Sequence, residues 1–337
     1  MEPLWVVFLK ALVVSVLLLG GFAYLTLVQR KVLGRIQHRY GPNRTGPYGI
    51  LQPIADAIKM IFKQDVTPRT SDKFVFILAP GISVVFALVA FGAIPAGPAG
   101  SFFGLDPWVM DLDIGLLYVL AATSIGVYGI FLGGWASNSK YALLGSLRSS
   151  AQIISYELGL GLSVLTVIMI AGTLNLREIV ELNVWSVSPL LWPGLIVALF
   201  TFWISATAEV NNVPFDLPEA EQELIAGYIT EYSSLKFALF FMAEYVGMIT
   251  ASAFISTLFL GGYKGPGFLD ALIPGMSEWP FIWLFLKMAF ILFVFLWLQG
   301  SLMRFRYDQL MRFGWIWLFE IALGAALLTG AVIAFVL

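Results

Sequence analysis

Long apolar stretches alternate with short polar connectors along the whole chain. An α-helix needs about 20 mostly apolar residues to cross the hydrocarbon core of a bilayer. Eight stretches of the 337-residue chain reach this length. They lie at about 4–28, 74–94, 114–135, 151–172, 188–208, 237–260, 281–299 and 314–336. The pattern predicts an all-α, polytopic membrane protein in which residues 1–337 form a single transmembrane domain.

The connector at about 29–73 is too long to be only a turn. Its segment LQPIADAIKMIFK spaces Leu51, Ile54, Ile58 and Ile61 at helical intervals, with polar residues elsewhere around the helix. This spacing predicts an amphipathic helix over about 51–64 that lies in the membrane interface.

Lys and Arg fall mainly on one side of the predicted bundle. Nine of the nineteen occupy the first connector, and six more occupy the other connectors on that side. Only Arg177 and Lys264 fall in connectors on the opposite side. Because Lys and Arg concentrate in cytoplasmic connectors, we expect this basic side to face the cytoplasm or its organellar equivalent. Both termini are then predicted on the outer side.

The composition sets limits on the chemistry of the chain. It is 59% hydrophobic and 12% charged, whereas soluble domains are about 25% charged. The absence of Cys excludes iron–sulfur ligation by thiolates, and a single His argues against a self-contained zinc or haem site. We therefore expect no cofactor bound by this chain itself.

Two acidic residues interrupt predicted membrane helices. Glu157 lies in AQIISYELGLGL and Glu244 in ALFFMAEYVGM. A charge at the centre of a bilayer costs about 2.5–3.5 kcal/mol on insertion scales, so such residues normally face the bundle interior. Counted along a helix from Arg148 and Lys236, both acids lie roughly 12 to 14 Å deep. They could share one layer, which Glu209 at the end of the fifth helix would connect to the surface.

An acidic loop at about 210–234 follows Glu209. Its segment VPFDLPEAEQELIAGYITEY has five carboxylates and no basic residue, at Asp216, Glu219, Glu221, Glu223 and Glu231. One interpretation is a carboxylate chain that relays protons or senses charge. The alternative is that Glu157 or Glu244 is neutral, or paired with Lys287, and only fixes helix packing.

Four segments resemble one family of membrane subunits. They are QRKVLGRIQHRYGPNRTGPYGILQPIADAIK, GWASNSKYALLGSLRSSAQIISYELGLGL, PFDLPEAEQELIAGYITEYSSLKFALFFMAEY and RFRYDQLMRFGW. The chain resembles, over essentially its full length, the H-type membrane subunit of proton-pumping NADH:quinone oxidoreductase, respiratory complex I. The mitochondrial relative is subunit 1 of that enzyme.

The resemblance implies roles for particular residues. It implies a subunit that anchors the peripheral redox arm and forms much of the quinone access chamber. The chamber residues implied by motif position are Arg30, Arg35, Asp56, Lys59, Phe215 and Asp216. The acids implied in proton or charge relay are Glu157, Glu209 and Glu244, with Glu219, Glu221 and Glu223 in the loop that faces the redox arm.

The resemblance also implies partners and location. Quinone, as ubiquinone or menaquinone, is the expected substrate, with FMN and iron–sulfur clusters held by partner subunits. The expected partners are peripheral quinone-site and iron–sulfur subunits, small membrane subunits, antiporter-like subunits and membrane lipid, with no nucleic acid. The expected location is an energy-transducing membrane, either the bacterial plasma (inner) membrane or the mitochondrial inner membrane.

Four positions depart from the family pattern. Gln29 stands where Glu usually precedes Arg-Lys, Asn212 where Arg usually precedes PFDLPE, and Gln299 where Arg is common. Glu320 occupies a position expected to be apolar or Pro. These departures bear on the tuning of the chamber and on the choice of quinone.

Two alternative functions follow from the same residues. The chain could be the related anchor subunit of a membrane-bound hydrogenase or formate-oxidising complex, which the intact PFDLPEAEQEL segment disfavours. It could also be an autonomous secondary transporter, which the absence of a detectable internal sequence repeat disfavours.

Overall fold

The computed structural model describes residues 3–101, 104–217, 224–265 and 279–335, and in these ranges the protein is helical and has no β-strand. Eight helices in this part of the chain are long and apolar enough to cross a membrane. The all-α polytopic prediction is therefore confirmed. The helices are α1 (Leu4–Ile36), α2 (Gln52–Phe62), α3 (Lys73–Phe91), α4 (Gly115–Ala136), α5 (Lys140–Ala171), α6 (Leu176–Leu182), α7 (Trp192–Glu209), α8 (Ser234–Phe259), α9 (Pro280–Ser301) and α10 (Tyr307–Phe335).

The eight long helices alternate in direction, so the bundle has two distinct ends. We call the end where α1 finishes and α3 begins the basic end, because it carries most of the Lys and Arg. The opposite end, where α1 begins, is the far end. With an even number of spans among the described residues, the start of α1 and the end of α10 lie at the far end.

Several helices extend beyond the apolar stretches that predict them. α1 has 33 residues and α5 has 32, which makes each about 50 Å long against a hydrocarbon core of about 30 Å. The extensions lie at the basic end. Arg30 and Arg35 therefore belong to α1 rather than to a loop, and α5 already begins at Lys140. Polar residues can continue a helix, but they carry no apolar signal that reveals it.

Close approach of small residues sets the spacing of the central helices. A Cβ on Gly129 of α4 would lie only 2.1 Å from Oγ of Ser83 on α3. A Cβ on Gly194 of α7 would lie 2.2 Å from Oγ1 of Thr329 on α10. Small residues of this kind allow membrane helices to pack through van der Waals contact. The main core lies between α3, α4, α5, α7 and α8.

The predicted amphipathic segment forms α2. It spans Gln52–Phe62, slightly shorter than expected. Ile54, Ile58 and Ile61 are exposed along one side. This arrangement fits the expected amphipathic helix, and its position in the membrane interface stays a prediction.

Lys287 of α9 binds backbone carbonyls at the far end. Its ammonium group donates to the carbonyl oxygens of Leu260, Gly262 and Lys264 at 2.6, 2.7 and 2.6 Å. An ammonium group has three N–H donors, so these bonds use all of them. The hypothesis that Lys287 pairs with Glu157 or Glu244 is therefore wrong.

Candidate functional site

A cavity that is partly open to the surface lies between five of the long helices. Its volume is about 120 Å³, which is room for several water molecules. Two carboxylates border it, from Glu209 and Glu244. We call it the acidic cavity. Its polar lining also includes Ser83, Thr123, Asn211, Tyr228 and Thr250.

Two of the three predicted membrane acids border this cavity, and the third lies close to one of them. Glu209 is the last residue of α7, and Glu244 lies ten residues into α8. Glu157 on α5 lies near enough to interact electrostatically with Glu209. Thr123 and Ser124 of α4 lie close to Glu209 and Glu157 respectively, and both hydroxyls donate to the carbonyl oxygen of Leu120. Glu209 thus lies near Glu157 and shares the cavity with Glu244. We call these three residues the acid layer, and their common depth stays a prediction.

Each of these acids is only partly buried by area. For Glu209 and Glu244 this partial exposure has a local cause, because both side chains border the acidic cavity. Oε1 of Glu157 is buried and has no hydrogen-bond partner among the described residues. A buried polar atom of this kind normally recruits ordered water, so the layer has both the polar groups and the space to hold water.

A group of neutral side chains lies beside the cavity toward the basic end. Gln152 donates from Nε2 to the carbonyl of Ala208 at 2.9 Å and to Oδ1 of Asn211 at 3.3 Å. Ser149 donates to the same Oδ1 at 3.4 Å. Gln152, Ser149 and Asn211 are buried. We call these three residues the amide seal, because their hydrogen bonds join α5 to the end of α7 and the turn that follows it.

The sequence analysis does not predict the amide seal, although two of its residues are recognisable as polar positions at or near predicted membrane spans. Gln152 is a polar residue within a stretch predicted to span the membrane, and Asn211 follows Glu209 by two positions. Asn211 has a left-handed backbone with φ 53°, a conformation that Asn tolerates better than most residues. This turn directs the chain out of α7 and into the acidic loop.

Phe215 and Asp216 dock against the loop before α10. Asp216 is buried, and its Oδ2 accepts from Nη2 of Arg304 at 2.6 Å. The Phe215 ring packs between Tyr156 and Phe305, with centroids 5.2 and 5.6 Å away. Tyr156 precedes Glu157 on α5. An aromatic contact therefore joins the predicted chamber residue Phe215 to the helix that carries one of the acids.

A second group of predicted chamber residues lies on α1 and α2. Nη1 of Arg30 pairs with Oδ2 of Asp56 at 2.7 Å, and Gln52 donates to the other oxygen of Asp56 at 3.0 Å. Arg35 is exposed and lies over the ring of Tyr40 at 5.1 Å.

Lys59 is exposed on α2. The structure thus pairs Arg30 with Asp56 and groups Phe215 with Asp216 in a different cluster. Glu219, Glu221 and Glu223 lie outside the described residues.

Gln29, next to Arg30, joins three helices. Its Nε2 donates to Oε1 of Gln299 on α9 at 2.8 Å. Its Oε1 accepts a short hydrogen bond from the hydroxyl of Tyr245 on α8. Tyr245 follows Glu244 directly. This polar contact therefore connects the α1 region to the helix segment that borders the acidic cavity.

Fold and site together define a polytopic helical membrane protein with a mainly apolar cavity between its helices that two carboxylates border. A family model described as NADH dehydrogenase matches residues 9–330. The chain is 59% identical to the H-type NADH-quinone oxidoreductase subunit of Deinococcus radiodurans, covering 100% of this chain and 85% of that one. It is 56% identical to NADH-quinone oxidoreductase subunit 8 of Thermus thermophilus, covering 99% and 88%. It is 50% identical to the H-type subunit of Rickettsia prowazekii, covering 94% and 90%.

The chain therefore belongs to the NADH dehydrogenase family, as a membrane subunit of NADH-quinone oxidoreductase, or complex I. The resemblance carried by the four sequence segments is confirmed. The quinone chamber and the role of the buried acids stay predictions.

Proposed function

We propose that this chain forms the membrane wall of the quinone chamber of complex I and couples quinone reduction to proton translocation. The observation that carries the proposal is the acidic cavity, where Glu209 and Glu244 meet and Glu157 lies beside them. The chain holds no cofactor in this scheme. Ubiquinone or menaquinone is the substrate, and FMN and iron–sulfur clusters in partner subunits supply the electrons.

The geometry supports coupling through two contacts. Asp216 and Phe215 would border the quinone, and Phe215 packs on Tyr156, one residue before Glu157. On the other side, Arg30 and Asp56 hold α2 against α1. A change of charge in the chamber would thus act close to the acid layer. Like charges interact strongly when they are shielded from water, so their titrations are coupled.

The chemistry of quinone gives this coupling a direction. Reduction of a quinone to a quinol takes up two electrons and two protons. Proton uptake beside Asp216 changes the charge that the acid layer experiences. Glu157, Glu209 and Glu244 would respond by gaining or losing protons, and antiporter-like partner subunits would pass the charge movement on. In this scheme the three acids carry protons and contact no group that carries electrons.

The chain also anchors the redox arm in this proposal. The acidic loop, with Glu219, Glu221 and Glu223, would face the peripheral quinone-site and iron–sulfur subunits. The basic end would lie on the cytoplasmic side or its organellar equivalent, and both termini on the outer side. In this proposal the chain lies in an energy-transducing membrane, either the bacterial plasma (inner) membrane or the mitochondrial inner membrane. There it contacts small membrane subunits and lipid.

The test uses the assembled enzyme in sealed vesicles. Glu209→Gln, and Glu157→Gln combined with Glu244→Gln, should lower NADH-driven proton pumping about tenfold or more. Quinone reduction and the pH gradient are measured on the same vesicles. Glu178→Gln is the matched control, because Glu178 is exposed at the far end and bonded to Thr173 at 2.5 Å. Pumping at the wild-type level in the double variant would show that the relay assignment is wrong.

Anchoring is tested separately. Replacing Glu219, Glu221 and Glu223 by Gln should reduce the amount of redox arm that purifies with the membrane arm. The flavin and iron–sulfur content of the purified membrane arm measures this. An unchanged content would show that these three acids do not hold the arm.

A further inference from the structure

Glu320 lies on the outward face of α10. The inward face of this helix carries Ala322, Ala325, Ala326 and Thr329, which are buried against the bundle. Glu320 is exposed. None of the hydrogen bonds or ion pairs within the described part of the chain involves its side chain.

The position of Glu320 along the helix is deep. It is eight residues beyond Arg312, the last basic residue of the chain, which is at most about 12 Å, because Phe313–Leu318 form a π-helical segment that rises less per residue than an α-helix. It is fifteen residues before Phe335, or about 22 Å. A hydrocarbon core is about 30 Å thick. Glu320 therefore lies close to the middle of the span.

A carboxylate that faces lipid at this depth is costly. Ionised side chains at a helix centre cost about 2.5–3.5 kcal/mol on insertion scales, and they pair with each other or face a polar space. The side chain of Glu is also too short to reach an interface about 12 Å away. No group in the described ranges of this chain bonds to the carboxylate. A partner for it would therefore have to come from outside the chain.

The surroundings of Glu320 suit a packed helix. Trp317 and Leu327, about one and two turns away on the same side, are 60% and 65% exposed. Gly324, one turn after Glu320, has open space where its Cβ would lie. Because Gly324 has no side chain, the backbone of a neighbouring helix can approach closely at this position, next to the polar side chain of Glu320. We call Trp317, Glu320, Gly324 and Leu327 the Glu320 face.

We propose that the Glu320 face is covered in the assembled enzyme by a transmembrane helix of another subunit, which places a Lys or Arg against Glu320. Charge complementarity selects this occupant. Lipid headgroups do not reach the middle of the bilayer. A second copy of this chain packed by two-fold symmetry would bring two carboxylates together, which is unfavourable. The chain belongs to a multi-subunit enzyme, so other membrane helices are available.

Photocrosslinking of the whole enzyme tests the contact first. The photoreactive residue p-benzoylphenylalanine replaces Glu320 in one variant and Phe290 in another. Phe290 is 61% exposed on α9 and has no charge to satisfy. We expect position 320 to crosslink to one segment of one membrane subunit, with a Lys or Arg within about one turn of the crosslink. Crosslinks to lipid alone, or to a segment without a basic residue, would overturn the proposal.

Charge reversal tests the ion pair. Glu320→Lys should lower the yield of assembled enzyme about fivefold or more, and Glu320→Gln should lower it less. Leu327→Lys is the matched control for the general cost of a cation on this face. Changing the crosslinked partner residue to Glu should restore assembly of Glu320→Lys but not of Leu327→Lys. Equal yields for the two Lys variants, with no rescue, would show that no basic partner faces Glu320.

Discussion

Gln29 of α1 and Gln299 of α9 bond to each other, with 2.8 Å between Nε2 of the first and Oε1 of the second. These are two of the positions where the family resemblance leads to an expectation of Glu and Arg. The structure shows that the two departures are partners. A neutral amide pair thus stands where an ion pair is expected, and the chain loses one charge of each sign together.

This pairing predicts compensation between two substitutions. Gln29→Glu alone, and Gln299→Arg alone, each place an unpaired charge in a partly buried contact. We expect each to lower the thermal-inactivation midpoint of the purified enzyme by about 2–6 °C. The double variant should recover most of this loss, because the new charges pair. Strictly additive losses in the double variant would show that the two side chains act independently.

The pair of Arg304 and Asp216 predicts an asymmetry between its two partners. The Asp216 side chain is 12% exposed and that of Arg304 is 39% exposed. Arg304→Gln removes the guanidinium that lies 2.6 Å from a largely buried carboxylate, at a cost of about 1–3 kcal/mol after allowance for solvent at Arg304. Asp216→Asn leaves an Arg that water can reach, so it should cost less.

The check on this asymmetry is the thermal-inactivation midpoint of the enzyme with each variant. The midpoint of the Arg304→Gln enzyme should be lower than that of the Asp216→Asn enzyme. The midpoint of the double variant should lie above that of Arg304→Gln alone. The reverse order would mean that the carboxylate is satisfied by other groups. Because Asp216 is also proposed to border the quinone, the apparent KM for quinone is measured on the same samples.

The amide seal predicts that two substitutions at Gln152 differ in their effect on proton pumping. Gln152→Leu replaces the amide by an apolar group of similar size and should slow proton pumping about fivefold, because water and protons pass less easily toward Glu209. Gln152→Ser leaves space for water and should keep most of the pumping. The measurements are the pH gradient and the solvent isotope effect on turnover in vesicles.

A structural role for Gln152 would give a different result. In that case the smaller Ser would be the more damaging substitution, because it leaves the larger cavity. Ser163→Ala is the matched control, since Ser163 and Thr201 form an equally buried bond of 2.7 Å between the same two helices. Similar losses for Gln152→Leu and Ser163→Ala would identify general packing as the cause. Measuring Glu209→Gln in the same series shows whether proton pumping depends on the acid layer.

Part of this site was predictable from sequence. Glu157 and Glu244 stand out because an acid within an apolar stretch is rare, and helix geometry alone gives their depth. Counting residues from Arg148 and Lys236 places them at similar depth, and the structure puts Glu244 at the cavity and Glu157 near Glu209, which also borders it. The fourth departure, Glu320, was equally visible, but its exposure on α10 was not.

Other contacts could not be predicted in this way. Gln29 and Gln299 are 270 positions apart, and Arg304 and Asp216 are 88 apart. Nothing in either local segment identifies the partner, because the contact depends on how whole helices pack. The same holds for Lys287, which looked like a candidate ion-pair partner for the acids. Its bonds to three far-end carbonyls follow from the packing of α9 against the end of α8.

The sequence by itself determined the eight spans, the amphipathic α2, the buried acids and the family. These features depend on local hydropathy and on motifs that are continuous in the chain. The tertiary structure alone decided that Glu209 and Glu244 share a cavity, that Gln152 and Asn211 lie beside it, and which charges pair. The physical reason is that a cavity or an ion pair exists only between helices, where small residues such as Gly129 set the separation and the packing sets the rotation of each helix.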